Sequence, residues 1–132
     1  MMDIFFSDPD EIPLPPREVR IREMHADFWS DGHRVRITIE VDPFQQRPSL
    51  DAVILGPLGN ELADASIIET MTRVLEFNMH LRGEILPGEY ILQVKLYYNQ
   101  ESGQDAQGDQ EASLEPIIVD RRVITFIHPA AV

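Results

Sequence analysis

Four histidines, His25, His33, His80 and His128, are the residues of this chain best suited to bind a metal or move a proton near neutral pH. Their spacing serves neither task. No two of them form the HExxH-like pair that sets two imidazoles on one helical face around zinc, and cysteine is absent, so no thiolate can complete a site or act as nucleophile. They read as surface histidines. Asp105, Gln107, Asp109 and Glu111 offer oxygen atoms at alternate positions, the way a calcium loop begins, with Gly108 allowing a sharp turn. The spacing is not that of an EF-hand, and a charge run with no apolar anchor reads as a solvated acidic loop. There is no Gly-x-Ser-x-Gly elbow, no phosphate-binding glycine loop and no dinucleotide fingerprint. The residue types therefore predict a protein that is not an enzyme and takes no metal and no cofactor.

Arg20, Arg22, Arg34 and Arg36 fall on segments expected to be neighbouring strands and could form an anion-binding stripe. The plainer reading pairs them with Glu18, Glu23, Glu40 and Glu76, each exposed pair contributing under about 1 kcal/mol. The overall balance of 11 Lys and Arg against 23 Asp and Glu gives a net charge of -12. That is the wrong sign for a phosphate backbone or an anionic membrane, so nucleic acid is not an expected partner. No apolar run approaches the about 18 residues of a bilayer-spanning helix. The start at Met1, Met2, Asp3, Ile4, Phe5 and Phe6 lacks the basic region and long apolar stretch of a signal peptide. The expectation is a cytoplasmic protein without membrane insertion.

The elements that must position any site read as strands. Residues 1–16 hold Pro9, Pro13, Pro15 and Pro16 among acidic residues and predict a Pro-rich N-terminal arm, leaving 17–132 as the domain. Val35, Ile37, Ile39 and Val41 alternate with Arg34, Arg36, Thr38 and Glu40, and Tyr90, Leu92, Val94, Leu96 and Tyr98 alternate likewise. Val19 to Phe28 predicts an earlier strand whose apolar phase changes between Ile21 and Met24, the mark of a bulge or a change of sheet. Leu50 to Leu55 is a short apolar strand, and Val123 to Ile127 lies in a closing one. Residues 64–82 allow a helix, with Ser66 and Glu69 at capping-box spacing, or two strands; the alternation of Leu75, Phe77, Met79 and Leu81 favours strands. Residues 99–116, almost devoid of apolar side chains, predict a flexible acidic loop.

About seven short strands with turns between them suggest an all-β, two-sheet antiparallel sandwich. Gly88-Glu89-Tyr90-Ile91-Leu92 resembles the start of strand F in immunoglobulin-like domains, with Leu92 in the place of the usual cysteine. The resemblance implies that Gly88 and Tyr90 form a structural turn in which the tyrosine hydroxyl bonds back to the chain. With no disulfide pair and no tryptophan near Leu50, the sequence is closer to fibronectin type III-like modules than to antibody domains. Asp31-Gly32, Pro87-Gly88-Glu89-Tyr90 and Phe126 carry a looser likeness to the sugar-reading sandwich domain of bacterial polysaccharide exporters. No sugar-contacting residue can be matched, so that likeness brings no ligand with it.

The expected function is a non-catalytic protein-interaction module. Three strands carry apolar residues on both faces, and in the immunoglobulin-like arrangement these are C, F and G of one sheet. Val53, Leu55, Ile91, Tyr97, Ile124 and Phe126 are the interface candidates on its outer face. The cover is either a second copy in a homodimer, the favoured choice, or the arm with Ile4, Phe5, Phe6, Ile12 and Leu14. The alternative is a glycan- or small-ligand-binding sandwich accessory to a larger assembly, using Trp29, Phe44, Tyr97 or Tyr98.

Overall fold

The computed structural model describes residues 12–99 and 115–129. Seven strands follow one another: β1 (Ile21–Phe28), β2 (Arg34–Val41), β3 (Ser49–Leu55), β4 (Glu61–Ile67), β5 (Val74–His80), β6 (Glu89–Tyr98) and β7 (Ile117–Ile127). They form two antiparallel sheets, β1-β2-β5 and β4-β3-β6-β7, so the all-β sandwich is observed. No helix among the described residues is long and apolar enough to cross a membrane.

Alternation does the sorting. Val35, Ile37, Ile39 and Val41 on β2 are sealed from solvent on one side of the core, and Leu50, Ala52 and Ile54 on β3 with Tyr90, Leu92, Val94 and Leu96 on the adjacent β6 are sealed on the other. On β1 both Ile21 and Met24 are buried although three residues apart. A bulge between Ile21 and Glu23 absorbs the odd residue and returns Met24 to the inner face.

Residues 64–82 hold most of β4 and all of β5. The helical face would have united Ile67, Ile68 and Met71, whereas Ile68 and Met71 stand exposed in the connection and Glu69 adopts a left-handed φ of 49°. The capping-box residues are used otherwise: the Ser66 hydroxyl donates to Asp51 and the Glu69 N–H donates to Ser49 Oγ. Long-range pairing of Leu75 with Ile39 and Met79 with Val35 decides the element, because it buries Leu75 and Met79 in the core.

Where the N-terminal arm meets the domain, Pro16–Glu18 forms one 3-10 turn. Leu14 makes a parallel bridge with Phe44, donating to Pro43 O and accepting from Gln45 N, both at 3.0 Å. Ile4, Phe5 and Phe6 lie outside the described residues, as do Asp105, Gln107, Gly108, Asp109 and Glu111 and most of the expected loop over 99–116.

At one end of the core Phe28, Tyr90 and Phe126 pack ring on ring, with centroids 5.2 to 5.9 Å apart, and tie β1 to β6 and β7. The Tyr90 hydroxyl donates to Leu86 O at 2.6 Å, four residues upstream, closing the turn that Gly88 opens. Burial pushes the Tyr90 hydroxyl above its usual pKa, with the Leu86 hydrogen bond acting in the opposite sense.

Candidate functional site

With Tyr90, Leu92, Val94 and Leu96 turned inward, the register of the four-stranded sheet assigns its outer face row by row. Leu55, Ile91 and Thr125 stand side by side in one row, and Val53, Gln93 and Val123 in the next. Ile127 lies beyond, opposite Glu89. Leu55, Ile91, Val53, Val123 and Ile127 thus form an apolar strip interrupted by Gln93 and Thr125, with Val123 57% and Ile127 53% exposed. A polar row of Asp51, Lys95 and Arg121 bounds it.

Two of the six interface candidates are misplaced by the sequence. Phe126 is opposite Tyr90 and Ile124 opposite Leu92, so both face the core, Phe126 being buried and Ile124 partly so. β7 carries apolar residues at both parities, and alternation alone cannot tell which set turns inward. Pairing with β6 selects the even-numbered set and leaves Val123 and Ile127 outside. Those two are exposed apolar residues of the outer face that alternation alone does not single out. Tyr97 is on the outer side but away from the strip and only 9% exposed. Its hydroxyl contacts Asp51 Oδ1 at 3.2 Å, and burial, assisted by the Asp51 charge, raises its pKa. Val53, Leu55 and Ile91 lie where expected.

The aromatics required for sugar stacking are engaged. Trp29 has the guanidinium carbons of Arg34 and Arg36 at 4.7 and 5.0 Å from its ring centroid, and its indole N–H donates to Asn78 Oδ1 at 2.8 Å. Phe44 packs against the core, and Tyr98 is buried with its hydroxyl on Gln46 O.

The arginine stripe is occupied as well. Arg22 pairs with Asp42, Arg34 with Asp31 and Arg36 with Glu76, while Arg20 donates to the carbonyls of Arg17 and Val19. Of the expected partners Glu76 serves, while Glu40 turns to Arg73 instead.

A depression of about 420 Å³ lies between the β1–β2 turn and the end of β7, lined in part by Asp31, His33, Ile85 and His128. Its polar groups are committed. Asp31 accepts from the His33 and Arg34 N–H groups, which holds its carboxyl below the usual pKa, and His128 Nε2 lies 3.3 Å from Gly32 O. No group of three or more His, Asp or Glu among the described residues is placed to hold a metal ion.

No family model matches the chain, and no curated protein matches it. Among solved structures it is similar to the β-glucuronidase of Bifidobacterium dentium complexed with coumarin-3-O-glucuronide, at 15% identity and TM-score 0.49, covering 83% of this chain and 18% of that one. The apo β-glucuronidase of Ruminococcus gnavus gives 14% and 0.45, and the Lactobacillus rhamnosus β-glucuronidase 14% and 0.44, each covering 85% of this chain and 16% of the other. The chain therefore spans less than a fifth of these enzymes, and a likeness at this level carries no argument about what it binds or does.

Proposed function

We propose that this chain is a non-catalytic protein-interaction module that self-associates through the outer face of its four-stranded sheet. The observation that carries the reading is the apolar strip of Leu55, Ile91, Val53, Val123 and Ile127. It lies on a sheet face where water contact normally selects polar residues. The sheet order and the Tyr90 to Leu86 hydrogen bond support the immunoglobulin-like assignment, in which β3, β6 and β7 are strands C, F and G. A strip on one face suits a two-fold dimer, in which each copy covers the other's. Light scattering tests it: the intact protein should have the mass of a dimer or larger, and Leu55→Asp and Ile91→Asp should reduce it. A monomeric parent protein at high micromolar concentration would overturn the reading. The alternative of glycan or small-ligand binding is weakened by the engagement of Trp29, Phe44, Tyr97 and Tyr98.

A further inference from the structure

Among the described residues β7 is the longest strand and the edge of its sheet, hydrogen-bonded to β6 on one side only. Edge strands in natural proteins are blunted by Pro, Lys, bulges or inward-pointing charges, because a bare edge templates pairing with another chain. Between Ile117 and Ile127 there is no Pro, Gly or Lys, and β-branched residues predominate. Protection is confined to the first half, where a register shift falls near Val119 and the inner-face side chains Asp120 and Arg122 reach across to the N–H and C=O of Ile21 on β1. Among the described residues the half from Val123 to Ile127 has no such device, and Val123, Thr125 and Ile127 are exposed on it.

The side-chain order in this half identifies its occupant. In an antiparallel pairing of two copies about a two-fold axis normal to the sheet, directly opposed residues share a face, so each possible axis sets a distinct list of pairs. An axis at Asp120, Arg121 or Arg122 opposes like charges, which is unfavourable. An axis at Val123 sets Asp120 against Phe126 and Arg122 against Ile124, charge against core. An axis at Thr125 opposes Val123 to Ile127 and Ile124 to Phe126, each twice by symmetry, with threonine facing threonine. It sets Arg122 against His128, away from the core set, and the pairing ends at Pro129, which has no N–H to continue it.

We infer that β7 of one copy pairs antiparallel with β7 of a second copy about a two-fold axis at Thr125, joining two four-stranded sheets into one of eight strands. This edge contact is separate from the outer-face contact proposed above and does not require it. The two together build an assembly larger than a dimer.

The cysteine-free sequence provides a clean test. Directly opposed Cα atoms stand about 4.5 to 5.5 Å apart, inside the range that a disulfide spans. Thr125→Cys should therefore convert mostly to a disulfide-linked dimer under mild oxidation, whereas Arg121→Cys, exposed on the same face of the same strand, stays at the level of random collision. Cross-linking of Thr125→Cys should survive in a Leu55→Asp background, where the outer-face contact is broken. Thr125→Lys, which sets two ammonium groups against each other at the axis, should lower the mass by half while circular dichroism remains that of the parent. Equal cross-linking of the two cysteine variants, loss of cross-linking in the Leu55→Asp background, or a folded Thr125→Lys with unchanged mass would each overturn the edge contact. None of these results removes the outer-face reading, which rests on the mass of Leu55→Asp and Ile91→Asp.

Discussion

Asp120 and Ile21, 99 residues apart, meet where the two sheets approach: Asp120 Oδ2 accepts the Ile21 N–H at 2.8 Å. Two residues along β7, Arg122 Nη1 donates to Ile21 O at the same distance. Two side chains thus supply the donor and the acceptor that a further strand would have given the edge of β1 at its bulge. The seam between β1 and β7 is closed by charge-assisted hydrogen bonds rather than by a ladder.

Removing either side chain strands a backbone group at that seam. Asp120→Ala should cost about 1.5 to 3 kcal/mol, the range for hydrogen bonds to charged groups. Arg122→Ala should cost a similar amount. Because both hold the same residue, the double variant should lose less than the sum. Urea denaturation read as the midpoint at constant slope checks it, and strict additivity would mean that the two side chains act separately.

Tyr90→Phe removes only the hydroxyl that reaches Leu86 O and leaves the ring packed on Phe28 and Phe126. The expected loss is about 0.5 to 1.5 kcal/mol. An unchanged denaturation midpoint would show that the turn is held by packing alone.

Gly88 has φ +139°, a conformation open almost only to glycine, and a Cβ there would lie 3.1 Å from Pro57 Cγ. Gly88→Ala should cost about 1 to 3 kcal/mol. Gly59→Ala is the comparison, since at φ +87° its Cβ would meet nothing within 4 Å. Its melting temperature should fall by less than that of Gly88→Ala.

Alkaline pH should unfold the domain through its tyrosines. Burial pushes the Tyr98 hydroxyl up to about 12 and raises Tyr97 and Tyr90 as well. An unfolded tyrosine ionises near about 10, so above that pH the unfolded chain releases protons that the folded chain retains. The stabilisation is fully present below about pH 10 and falls as pH rises toward about 12, with Tyr98 contributing roughly 2 to 3 kcal/mol of the loss. Denaturant midpoints across that interval check the slope, and Tyr98→Phe should flatten it.

Much of the fold was legible because period and face coincide. Val35, Ile37, Ile39 and Val41 state one buried face without ambiguity, and the three-residue step from Ile21 to Met24 states a bulge. The Gly88-Glu89-Tyr90 turn is local, so its residues carry its geometry with them. Where both parities are apolar, or where helix and strand patterns overlap, the local signal is degenerate. Ile124 and Phe126 turned inward because β6 pairs with β7 in one register. Residues 64–82 became two strands because Leu75 and Met79 gain burial beside Ile39 and Val35.

The amino-acid sequence by itself determined an acidic, cysteine-free, all-β chain with no recognisable catalytic spacing, since composition and alternation need no partner to be read. Only the tertiary structure decided which side of β7 is core, which carboxylates serve Arg22, Arg34 and Arg36, and that Asp120 and Arg122 hold Ile21. Those outcomes depend on contacts between residues far apart in the chain, and the energy that selects them exists only once the sheets have paired.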